Sequence, residues 1–178
     1  MEKIPTAVFA TELIALRSLC IYGQGRVSEL IVGDDKPLYD PRRVRSLVGA
    51  LARHYAVDLV ALRQRCGRLL HGRNYLPLPF SSGLVLVPLP LGQGPEKMGY
   101  INLLAVQGVF AWASGSKVKA GADTVLECWL SPGSVRHRLL RAQLVLRELD
   151  AGGLLPQMDS ERLWRQKLEI IRALLAEV

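Results

Sequence analysis

Apolar residues recur at threes and fours through Val44, Leu47, Val48, Leu51, Tyr55, Leu59, Leu62, Cys66 and Leu69. At about 100° per residue they hold to one stripe, which predicts amphipathic helix. Arg42, Arg45, Arg53, Arg63 and Arg68 fall on the opposite side, with Arg43 and Arg65 on the flanks. One unbroken helix would be long for a small domain. Asp58 supplies an N-cap in mid-stretch, so the pattern predicts two helices meeting near Ala56 and Val57. Asp40 as N-cap, with Pro41 at the first helical position, predicts the start, and Gly72 as C′ residue the end.

Upstream, Leu13, Leu16 and Cys20 have helical spacing, which predicts that residues 6–21 open as a strand and continue as a helix, stopped by Tyr22-Gly23-Gln24-Gly25. The segment 26–33 reads equally as strand or helix. Asp34, Asp35, Pro37, Asp40 and Pro41 make an acidic hinge. From Tyr75 the pattern turns β-like, with strands expected over 76–91, 99–109, 110–121 and 123–130. Pro88 and Pro90 lack ladder donors, so that strand is expected to lie at an edge or to leave the sheet early. Ser134 is expected to cap a helix that buries Val135, Leu139, Ala142, Leu146 and Leu149. Gly152, Gly153 and Pro156 end it, and Ser160 with Glu161 opens a last amphipathic helix carrying Trp164, Leu168, Ile171, Leu175 and Val178. The near-heptad spacing of those five fits either a homodimer seam or packing on the chain's own sheet.

The expected class is α+β: an N-terminal helical segment with an Arg-rich helix pair, a small antiparallel sheet and two C-terminal helices. The chain divides at 1–73 and 74–178, or forms one compact domain. The 178 residues are 49% hydrophobic and 22% charged, ample for a packed core. Nothing in the chain reads as a membrane span or a secretory signal, and three scattered cysteines suit a reducing compartment. The expected address is cytoplasmic.

Charge then changes the picture. The stretch Arg42–Arg73 holds eight arginines and one acid, +8 − 1 = +7, which equals the net charge of the whole chain. A local arginine field on an otherwise balanced protein points to a polyanionic partner. A helix-turn-helix over 47–70 is one reading of it. Leu51 and Ala52 make the inner contact, Tyr55-Ala56-Val57 the turn and Asp58 the cap; Leu59, Val60, Arg63 and Gln64 then face the major groove. Ala56 stands where a glycine with positive φ is usual, and Arg65 where an apolar residue is usual. The other reading is an amphipathic hairpin with a solvated arginine face, salt-bridged to Asp34–Asp40. Phosphate-contact candidates are Arg42, Arg45, Arg53, Arg63, Gln64, Arg68 and Arg73, joined by Arg138 and Arg141, three apart beside His137. Lys117, Lys119 and Arg136 belong to the same secondary basic groups, and the two lysines, near a turn, read as solvated.

Catalytic signatures are lacking. His54, His71 and His137 have no metal-ligand spacing, there is no phosphate-binding glycine loop, and Asp34-Asp35 has no basic partner nearby. Cys66 lies on the apolar stripe, where flanking arginines would activate it only if it were exposed. The expectation is a non-enzyme with no cofactor, no metal and no small-molecule substrate.

Residues 75–147 resemble the competence transcription factor (ComK) family. The match lies in Pro77 to Pro88, Tyr100-Ile101 and Ser131-x-x-Ser134-Val135-x-x-Arg138-Leu139-x-Arg141-Ala142, and Cys20-Ile21-Tyr22-Gly23 resembles a Cys-aromatic-Gly motif of that family. A helical insert separates that motif from the rest. The resemblance implies a bacterial cytoplasmic DNA-binding activator that prefers A·T-rich sites and self-associates. The reading from charge and resemblance together is a DNA-binding transcriptional regulator. The alternative is an adaptor that docks an acidic protein. The low aromatic content (6%) weighs against single-strand stacking.

Overall fold

The computed structural model describes residues 2–33, 36–93 and 95–153. It overturns the expected N-terminal helical segment. After one short helix, α1 (Thr6–Phe9), the chain forms strands β1 (Leu13–Ile21), β2 (Gly25–Val32) and β3 (Leu38–Asp40). The helical spacing of Leu13, Leu16 and Cys20 misled because β1 lies inside a sheet. Its first four residues are all buried, so apolar side chains fill both faces and the period-two signal vanishes. Tyr22-Gly23-Gln24 does not stop a helix; it turns a hairpin, with Ile21 opposite Gly25.

Two eleven-residue helices follow, α2 (Val44–His54) and α3 (Leu59–Leu69). They are inserted between strands of one sheet. Strands β4 (Leu78–Ser81), β5 (Leu84–Pro90) and β6 (Met98–Asn102) complete six antiparallel strands in the order β3-β2-β1-β6-β5-β4. Strands from either side of residue 73 therefore bond to one another where β1 meets β6. A 3₁₀ turn at Leu103–Ala105, capped by Asn102, then breaks the expected 99–109 strand in two. The chain passes into a second sheet of β7 (Val106–Trp112), β8 (Gly115–Ala120) and β9 (Thr124–Cys128), ordered β7-β8-β9. Helix α4 (Pro132–Ala151) packs on β5, β7 and β8. The described residues thus form two antiparallel sheets with helix nearly as abundant as strand, and one apolar core runs through both sheets and the helices.

Three local details set where α2, α4 and the end of β5 lie. Pro88 and Pro90 lie on β5 beyond the point where short β4 stops pairing, at Leu86. Their carbonyls accept from the Arg138 guanidinium (2.8 Å) and the Trp129 N–H (3.3 Å) instead. Helix α4 starts at Pro132, not after Ser134: Ser131 is the N-cap, and its hydroxyl accepts from the Ser134 N–H. Likewise Asp40 ends β3 rather than capping a helix, and α2 begins at Val44.

The last expected helix, with Trp164 to Val178 and the dimer seam, lies outside the described residues, as do Asp34 and Asp35. Among the described residues no helix is long and apolar enough to cross a membrane.

Candidate nucleic-acid interface

Helix α3 begins where the Asp58 carboxylate accepts from the N–H groups of Val60 (2.7 Å) and Ala61 (3.0 Å). Such a cap satisfies amides that the helix itself cannot. Leu62 and Cys66 point into the core, which leaves Arg63, Gln64, Arg65 and Arg68 outside. The helix ends in a Schellman turn, with the Gly72 N–H on the Gly67 carbonyl (3.1 Å). His71, not Gly72, takes the left-handed C′ position (φ 48°). The chain folds back so tightly that a Cβ on Gly67 would stand 2.8 Å from the Gly72 carbonyl oxygen.

That fold-back forms an open cleft of about 730 Å³ lined by Arg63, Gln64, Gly67, Arg68, His71, Gly72, Arg73 and Leu76. No acid lines it. From α4, a guanidinium nitrogen of Arg141 comes within 3.0 Å of where a Gly72 Cβ would be, at the cleft's edge. Arg138 lies over the Tyr75 ring, 3.9 Å from its centre, while bonding the Pro88 carbonyl. It serves as a strut between α4 and the loop, and burial pulls its pKa below the ordinary arginine value. Tyr100 of β6 lies near Arg63. Burial raises that phenol's pKa and the nearby Arg63 opposes the rise.

The structure therefore gathers Arg63, Gln64, Arg68, Arg73 and Arg141, with Arg138 behind them. Arg42, Arg45 and Arg53 lie elsewhere. Arg42 grips Asp40 through two nitrogens (2.8 and 2.7 Å) and the Ile4 carbonyl (2.6 Å), while Asp40, fully buried, also accepts the Ile4 N–H. Burial alone would raise the Asp40 pKa, but the hydrogen bonds from Arg42 and from the Ile4 and Arg42 amides hold it below the ordinary range. Arg42 thus clasps the N-terminal segment to the end of β3. Arg45 and Arg53 are exposed on α2, which packs on α1 and β1, whereas α3 packs on β4. Arg17, Arg26 and Arg42 are held in ion pairs with Glu29, Glu96 and Asp40.

No family model, curated protein or solved structure matches the chain.

The turn between α2 and α3 bears on the helix-turn-helix reading. Ala56 does occupy the left-handed region (φ 53°), with the Val57 N–H on the Ala52 carbonyl (2.8 Å). Val60 is exposed, but Leu59 packs against the core, and Arg63 and Gln64 line the cleft. Arg65, at the position where that motif expects an apolar residue, is exposed, and Cys66 fills the inner place. Burial pushes the Cys66 thiol up to about 11, outweighing the neighbouring Arg65. It is a core residue.

His71, Tyr75, Tyr100 and the Gly67–Gly72 fold-back escaped the reading of the sequence. The exposed pair Asn74-Tyr75 just after an arginine was the available signal. Also unforeseen are the exposed Phe110, Trp112 and Trp129 near Lys117 and Lys97.

Proposed function

We propose that this chain is a DNA-binding transcriptional regulator that holds backbone phosphates in the cleft of α3, the 70–76 loop and α4. One observation carries the reading: Arg63, Arg68, Arg73 and Arg141 converge on a concave surface without an acid among its lining residues. Convergent guanidinium forks suit phosphate oxygens, and Gln64 among them is a type suited to a base edge. The resemblance of residues 75–147 to the competence transcription factor family points the same way, and it carries the expectations of a cytoplasmic address and an A·T-rich target.

Four phosphate contacts set the test. The slope of log affinity against log salt on duplex DNA is expected near −3.6, so affinity falls roughly a hundredfold between about 50 and 200 mM salt. Each cleft arginine replaced by alanine is expected to reduce that slope by about one. Absence of duplex binding at low salt would sink the proposal. A second reading, an acidic protein partner, draws on Tyr75, half exposed and backed by Arg138, because such aromatic and arginine pairs anchor protein interfaces. Capture that survives nuclease and fails with Tyr75→Ala would favour that reading.

A further inference from the structure

The second sheet has two unlike faces. Val109, Val118 and Leu126 point inward, and α4 packs on β7 and β8. On the opposite face, Phe110 stands across from Lys117, and Lys117 across from Glu127; Gly108 stands across from Lys119, and Lys119 from Val125. Phe110 and Val125 are more than half exposed and Trp112 is 39% exposed, a high value for such large side chains on strands. The Phe110 ring lies down over Gly108: a Cβ there would stand 3.0 Å from the ring's Cζ. The Lys117 ammonium sits 4.7 Å from the Trp112 ring centre. Trp112 is paired with Gly115, whose own Cβ would strike the backbone of Cys128 and Trp129. Lys97 lies 5.9 Å from the Trp129 ring centre.

We propose that this outer face is a second nucleic-acid site, distinct from the arginine cleft, which takes an unpaired single strand. Phe110 and Trp112, two residues apart and so about 6.8 Å apart along one strand, present rings on which successive bases stack. Lys117 and Lys119, with Lys97 beside Trp129, supply the cations for the phosphates, against Glu127 alone on the same rows. A duplex hides its base faces in its own stack, so exposed rings select unpaired bases. A second copy of the chain would bring lysine against lysine, and lysine is depleted from protein interface cores.

The test is anisotropy of a labelled oligodeoxythymidylate of about twelve nucleotides, at about 50 mM salt, with the full chain. Phe110→Ala/Trp112→Ala is expected to weaken binding tenfold or more, and Lys117→Gln/Lys119→Gln to weaken it and flatten its salt dependence. Arg68→Ala/Arg73→Ala is expected to leave oligonucleotide binding within about twofold while reducing duplex binding, which separates this site from the cleft. Trp112 fluorescence should quench on titration, a readout independent of the variants. The proposal is overturned if wild type does not bind the oligonucleotide, or if the aromatic variant binds it equally. It is overturned too if that variant only converts a self-associated form to monomer in sedimentation.

Discussion

The two halves of the arginine stretch share a composition and differ in what surrounds each guanidinium. At the start of the stretch, Arg42 faces a buried carboxylate and a backbone carbonyl, and its charge is absorbed in holding residue 4 against the end of β3. Around α3, Arg63, Arg68 and Arg73 line one cleft that has no acid among its described lining residues. Counting charge finds both halves; only partnering tells which one is left to bind something.

That contrast can be broken from the structural side first. Arg42→Ala leaves the Asp40 carboxylate buried and unpaired, and chemical denaturation should show a loss of about 3–5 kcal/mol, with duplex affinity of the folded protein unchanged. Because the Asp40 pKa is depressed in the folded state, the clasp's contribution is present above the ordinary carboxylate value of about 4 and lost as pH falls through the folded pKa. An acid denaturation midpoint that does not move in Arg42→Ala would contradict this role.

The next largest effect concerns the buried face of α3. Cys66 is a raised thiol, so its contribution to stability is present below its ordinary value and disappears as pH climbs toward about 11. Native protein near pH 8 should react with a thiol reagent at exposed Cys20 and not at Cys66. Labelling of both at equal rates would mean that α3 does not stay docked. The smallest effect is at the junction of the two halves. Ala56 holds a left-handed backbone that costs about 1–2 kcal/mol without glycine, so Ala56→Gly should raise stability by about 1 kcal/mol, with binding unchanged.

Local chemistry was legible in the sequence and long-range geometry was not. The Asp58 cap could be read because it involves only the next three residues. The proline placement on β5 could be read because a missing N–H has few acceptable positions. Strand β1 could not, since burial on both faces removes the alternation that marks a strand. The residue types of the cleft were visible, Arg63, Gln64, Arg68, Arg73 and Arg141 among them. Their grouping depends on Gly67 allowing the loop to fold back and on α4 arriving from far along the chain, which no spacing rule encodes. The Arg42 clasp was half visible for the same reason: Asp40 lies two residues away, but Ile4, which completes it, lies far off in the sequence. Low aromatic content concealed that Phe110 and Trp112 on the second sheet, and Trp129 just beyond it, are exposed.

The most direct measurement compares duplex DNA binding across a salt series for Arg63→Ala/Arg68→Ala/Arg73→Ala and for Arg45→Ala/Arg53→Ala. The cleft variant is expected to lose about three units of salt slope and most of its affinity, and the α2 variant to match wild type in both. Equal losses in the two variants would mean that charge alone, wherever it lies, drives the binding, and would contradict the cleft as the site.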